Sequence, residues 1–177
     1  MRRATAYLTL LRAPLLLAAS ACSSDRDSGS DSGSPDSPPP AAVSDKQARQ
    51  VLGRVVARAP KLTAGRFCDE LAYQKDACAY TRKQADDFCL KPGTAPRVLR
   101  SAVVRNTEDS AGGRVLEIEG KTAGGQRYVS EFFVTAPDGT PQASTAVYWS
   151  GAGLGDSPLG EDNKVLPQSE CGDRADG

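Results

Sequence analysis

Arg114-Val115-Leu116-Glu117-Ile118-Glu119-Gly120-Lys121-Thr122 is the stretch whose reading decides the fold. Leu116 and Ile118 alternate with Glu117 and Glu119, so an extended chain turns the two apolar residues one way and the two acids the other. Three further segments read as strands: 97–107, with Val98, Leu99, Val103 and Val104; 126–136, with Tyr128, Val129, Phe132, Phe133 and Val134; and 142–150, ending in Ala146-Val147-Tyr148-Trp149. The connections Ser110-Ala111-Gly112-Gly113, Ala123-Gly124-Gly125 and Pro137-Asp138-Gly139-Thr140 are turn chemistry. Strands joined so tightly form an antiparallel meander.

Upstream the period changes. Ser44-Asp45-Lys46-Gln47 reads as a capping box. Ala48, Val51, Leu52, Val55, Val56 and Ala59 then follow at helical spacing, with Gln47, Arg49, Gln50, Arg54 and Arg58 turned outward, until Pro60 ends the run. A second helical region spans 63–90 and stops at Lys91-Pro92-Gly93. Ala64, Phe67, Cys68 and Leu71 share one face there; Cys78, Thr81, Ala85, Phe88 and Cys89 share another. Helices ahead of a meander predict an α+β fold, with one sheet face under the helices and the other wet or concave.

Four cysteines lie in this body: Cys68, Cys78, Cys89 and Cys171. Their spacings of 10, 11 and 82 residues lack the close pairs of a zinc site, and the chain has no histidine. A disulfide framework with three possible pairings is the better reading, and no metal is expected. In one straight helix Cys68 and Cys78 would stand about 15 Å apart, beyond the roughly 7 Å that a bridge tolerates. A turn near 73–76 folds the region into a hairpin, sets Cys68 opposite Cys78 and leaves Cys89 for Cys171. Closing that long loop is worth about 4 kcal/mol in the chain-entropy model. Cys68–Cys89 stays open as an alternative, and Cys78–Cys89 meets the same helical distance objection.

The chain begins with Arg2, Arg3 and Arg12, an apolar run of nine residues over 13–21, and then Cys22. A spanning helix needs roughly 20 apolar residues, so the run reads as a cleaved signal rather than an anchor. Segment 23–43 holds seven Ser, four Asp and four Pro and nothing to bury; as a flexible coil it reaches about 25 Å. The expected organisation is a signal peptide over 1–21, Cys22 with a disordered tether over 22–43, an α+β domain over 44–150, and an acidic, Gly-rich tail over 151–177 stapled by Cys171.

Leu15-Leu16-Leu17-Ala18-Ala19-Ser20-Ala21-Cys22 resembles the lipobox of bacterial lipoproteins, with Ala19 where that family prefers Leu. The resemblance implies a Cys22 thioether carrying diacylglycerol, palmitate among its acyl chains, and a body held at the outer face of the cell membrane. Two acyl chains anchor stably where one does not. An ordinary cleaved signal with an incidental thiol, and a twin-arginine signal at Arg2-Arg3, are the competing readings. The order of lipobox, Ser/Asp/Pro spacer, Cys-containing helices and four strands is similar to tethered lipoproteins of high-GC Gram-positive bacteria. From 44 to 150 it also resembles the nuclear-transport-factor-2-like and cystatin-like architecture, a cone of antiparallel strands packed by N-terminal helices. Enzymes of that kind place His or Asp in the cone, and this chain has no His.

The absence of histidine removes every Ser-His and Cys-His scheme and the commonest general base. The mature chain carries 19 basic against 22 acidic residues, which gives no reason to expect nucleic acid. Glu117, Glu119 and Glu131 are a candidate carboxylate cluster for acid–base work or calcium, weighed against the plainer reading of a solvated sheet face. Tyr148 and Trp149 are expected on opposite faces of the last strand. One belongs in the core with Phe132 or Phe133; the other, with Tyr128 nearby, is a candidate surface for an apolar ligand or a partner strand. Gly151-Ala152-Gly153-Leu154-Gly155 follows a strand, but no helix and no Lys-Ser pair follow it, so it reads as a flexible exit from the sheet.

A non-catalytic binding module follows, without cofactor, joined to the membrane by lipid and holding an unknown envelope protein or a small apolar ligand. The alternatives are a small enzyme of the same conical fold using carboxylate or tyrosine chemistry on an apolar substrate, and a cystatin-like inhibitor or accessory factor.

Overall fold

The computed structural model describes residues 43–107, 111–160 and 164–172. The signal segment 1–21, Cys22 and tether residues 23–42 lie outside the described residues; Val43, read as the last tether residue, is instead buried in the core of the domain.

Helix α1 spans Asp45–Arg58 and starts where its capping box places it. The Ser44 amide donates to Gln47 Oε1 at 3.0 Å and the Gln47 amide donates to Ser44 Oγ at 3.3 Å, so two otherwise orphaned donors satisfy each other's residues. Ala48, Val51, Leu52 and Val55 form the buried stripe. One 3-10 turn, Ala59–Lys61, carries Pro60 and ends the element. Helices α2, Ala64–Leu71, and α3, Lys75–Asp87, form the expected hairpin. The Cys68–Cys78 disulfide closes it, with 5.6 Å between the Cα atoms.

The end of α3 shows how the second disulfide is set up. The Cys89 amide donates to the Asp86 carbonyl and the Leu90 amide to that of Ala85, the paired bonds of a Schellman cap. The residue at the left-handed position of such a cap is usually Gly; here it is Cys89, at φ +56°. It bonds to Cys171 with 5.1 Å between Cα atoms.

The sheet runs in the order β1-β2-β3-β4, every neighbour antiparallel. Strands β1, Arg97–Val104, β2, Gly113–Lys121, and β3, Arg127–Thr135, are long. The register pairs Leu116 with Phe132, Ile118 with Ser130 and Glu117 with Glu131. Leu99 is the extra residue of a bulge in β1, which blunts that exposed edge. The α+β class and the four-stranded meander follow the sequence reading.

The fourth strand does not. Strand β4 is only Gln142–Ala143, and the chain then leaves the edge, turning through Ala146 at φ +62°. Val147, Tyr148 and Trp149 go under the sheet instead of along it, and all three are buried. The free edge of β3 is completed piecemeal. The Ser144 amide donates to the Phe133 carbonyl, Glu131 donates to Ala152, and Val129 and Val165 exchange both bonds. The α2–α3 connection extends the same edge, since the Tyr73 and Gln74 amides donate to the carbonyls of Ala143 and Ser144. Every buried edge group needs a partner, and here several short segments supply what one long strand would have.

Candidate functional site

The helix-side face of the sheet presents Leu116, Ile118, Phe132, Val134 and Tyr128 to the helices, and all are buried. Trp149 sits at the centre of this core. Its ring meets Phe67 edge-on at 5.5 Å and Tyr148 edge-on at 5.0 Å, while Nε1 donates to the Leu90 carbonyl at 3.3 Å. The Arg82 guanidinium lies 4.8 Å from the Phe67 centroid, a cation–π contact that holds the α3 arginine against the aromatic cluster.

The candidate ligand surface on Tyr128, Tyr148 and Trp149 is therefore corrected. None of the three is more than 1% exposed, and Tyr148 and Trp149 do not stand on opposite strand faces because no strand runs there. Tyr128 faces Gly120 across the β2–β3 pair, and its ring covers the backbone of that glycine; a side chain at 120 would collide with it. The Tyr128 and Tyr148 hydroxyls are buried without a hydrogen-bond partner among the described residues. Burial pushes the Tyr148 phenol up to about 12, and burial, then the nearby Tyr148, raises Tyr128 as well.

The opposite face is the second correction. Glu117 and Glu131, read as members of a solvated face, are cross-strand neighbours whose side chains are 6% and 1% exposed. Segment 152–160 lies over them. The Leu154 amide and the Ser157 hydroxyl each donate to Glu131 at 2.7 Å, and Lys164 Nζ stands 3.9 Å away. Arg100 bridges Glu117 to the Leu159 carbonyl, and its guanidinium is held above its ordinary range by the hydrogen bond to Glu117. The Gly-rich exit is pinned rather than loose, because the Gly151 amide also donates to Ser130 Oγ at 2.8 Å. Glu119 does reach the rim, where hydrogen bonds from Arg127 and then Arg97 hold its carboxyl below the usual range. Each buried acid is thus engaged by a cation. Among the described residues no cluster of His, Cys, Asp or Glu is placed to hold a metal.

One receptive feature among the described residues is one that sequence reasoning missed. An open cleft of about 440 Å³ lies between α1 and the start of β1, lined by Leu52, Val56, Ala57, Pro96 and Val98, with Arg49 at its rim. Its volume falls within the range of small-molecule pockets. Leu52 and Val56 belong to the apolar stripe of α1, yet nothing in the sequence says that they line a cleft with Pro96 and Val98. Comparison with protein-family models, with curated proteins and with solved structures finds no match to this chain.

Proposed function

We propose that this chain is an extracytoplasmic lipoprotein, tethered to the cell membrane through Cys22, whose folded body is a non-catalytic binding module. The pairing of the cysteines carries the reading. Four of the five are consumed by one another in two disulfides, bonds that persist in oxidising compartments outside the cytoplasm. That leaves Cys22, which stands where the lipobox pattern asks for an acylated residue. Among the described residues no helix is long and apolar enough to cross a membrane, so attachment by this body would depend on lipid or on a partner.

The binding role rests on the α1–β1 cleft, whose apolar walls suit an apolar ligand or an apolar side chain of an envelope protein. The lack of His and the cation-paired carboxylates favour binding over catalysis. Three helices against one face of an antiparallel meander support a nuclear-transport-factor-2-like or cystatin-like reading of the fold.

The test is metabolic labelling with palmitate in a bacterial host that processes lipoproteins. The wild-type chain is expected to take up label and sediment with membranes; Cys22→Ser is expected to lose the label and leave the pellet. A Cys22→Ser protein that stays labelled and membrane-bound would overturn the proposal.

A further inference from the structure

The two disulfides occupy very different surroundings. Cys68 and Cys78 are 6% and 0% exposed, inside the core. Cys171 is exposed and Cys89 half-buried, at the end of α3. The segment that Cys171 ties down, 164–171, crosses from the free edge of β3 to the α3 terminus and buries little: Leu166 is 71% exposed. Beyond the contact of Leu166 and Pro167 with Gly151, its hold on the body is by polar contacts. Val129 and Val165 exchange bonds of 3.0 and 3.3 Å, and the Glu170 amide donates to the Phe88 carbonyl at 2.9 Å. Thr122 Oγ1 donates to the Glu170 carboxylate, and Lys164 faces Glu131. A segment with so few apolar contacts and such exposed hydrogen bonds belongs to the low-stability end of a structure.

We infer that Cys89–Cys171 is a thiol-releasable clip and that residues 164–171 form a strap which opens the β3 edge when the clip is reduced. The reductant is a dithiol, either a small molecule or an exported thiol–disulfide oxidoreductase. One of its thiolates attacks the accessible Sγ of Cys171; the Cys89–Cys171 bond breaks, and Cys89 leaves as a thiolate that takes up a proton. The second thiol of the reductant, losing its own proton, then attacks the mixed disulfide. Cys171 is released as a thiol and the reductant becomes a disulfide, two electrons having passed to the protein. Burial shields Cys68–Cys78 from the same attack. Opening strips Val165 from Val129, takes Lys164 from Glu131 and removes Leu166 and Pro167 from the wall of the cleft of about 310 Å³ that they form with Phe88, Leu90 and Ala152. The inference concerns the folded body and stands whether or not Cys22 is acylated.

The experiment is dithiothreitol treatment of the oxidised protein under native conditions, with alkylation and peptide mass spectrometry over time, then amide hydrogen exchange. Cys89 and Cys171 are expected to be alkylated at least about tenfold faster than Cys68 and Cys78. In the singly reduced protein the Val129 and Val165 amides are expected to exchange about tenfold faster or more, with the Leu116 amide unchanged. Cys171→Ser should show the same exchange pattern without reductant. If that variant does not fold, selective reduction of the wild-type chain decides. Equal reduction rates, a protected Val129 amide after alkylation of Cys89 and Cys171, or loss of Leu116 protection together with Val129 would each overturn the inference.

Discussion

On the helix side of the sheet Leu116, Ile118, Phe132 and Val134 share one apolar core with α1 and α2. On the other side Glu117 and Glu131 meet an amide, a serine hydroxyl and two cations under an irregular chain. Both faces are buried, by different physics. Apolar packing is non-directional and scales with area, so the helix side supplies most of the stability. The acidic side buries Val115 and Val129 as well, but its cover over the acids depends on a few directed bonds, each costly to leave unmade. The comparison teaches that the helix side should set whether the chain folds, and the acidic side how it closes.

Trp149→Ala should break the comparison most severely. Removing the hub of the aromatic cluster, which also orphans the Leu90 carbonyl, is expected to cost about 3–5 kcal/mol, read as a lower urea midpoint. Alkali should act on the same face. A raised folded pKa means that the unfolded chain loses its phenolic proton first, so the contribution of these two phenols is constant below about pH 10. It then falls as the pH climbs toward the value of about 12 of Tyr148, and the tyrosinate absorbance of the buried pair, Tyr128 and Tyr148, should appear together with loss of near-UV circular dichroism.

Glu131→Ala sharpens the other side. It leaves the Leu154 amide and Lys164 without their carboxylate, an expected cost of about 1–3 kcal/mol, with faster exchange at Leu154 and unchanged exchange at Leu116. The smallest effect belongs to acid. Glu119 has a depressed folded pKa through Arg127 and Arg97, so its contribution is present above the ordinary carboxylate range and is lost as pH falls through the folded value. Glu119→Gln should flatten the acid limb of the stability–pH profile slightly while leaving the alkaline limb in place.

Much of the helix side was legible in the residues. Ser44 and Gln47 fixed the start of α1, its apolar period fixed the buried face, and the helical distance between Cys68 and Cys78 favoured a hairpin if the two were to pair. The alternation around Leu116 fixed β2 and its pairing followed from the short turns. What misled was Val147-Tyr148-Trp149, residues that fit a strand by type but were claimed by the core. Alternation assigns Glu117 to a face without saying what covers that face. The cover comes from 152–160, where Gly, Ser, Asp and Pro carry no period to read. The α1–β1 cleft was equally hidden, because it is a mismatch between two elements and belongs to neither sequence alone.

Peptide mass spectrometry of the unreduced, membrane-extracted protein tests the account most directly. The expected spectrum contains a Cys68–Cys78 cystine peptide, a Cys89–Cys171 cystine peptide and an N-terminal peptide that begins at a diacylglycerol-bearing Cys22. Free thiols at the four body cysteines, or a different pairing together with an unmodified Cys22, would contradict it.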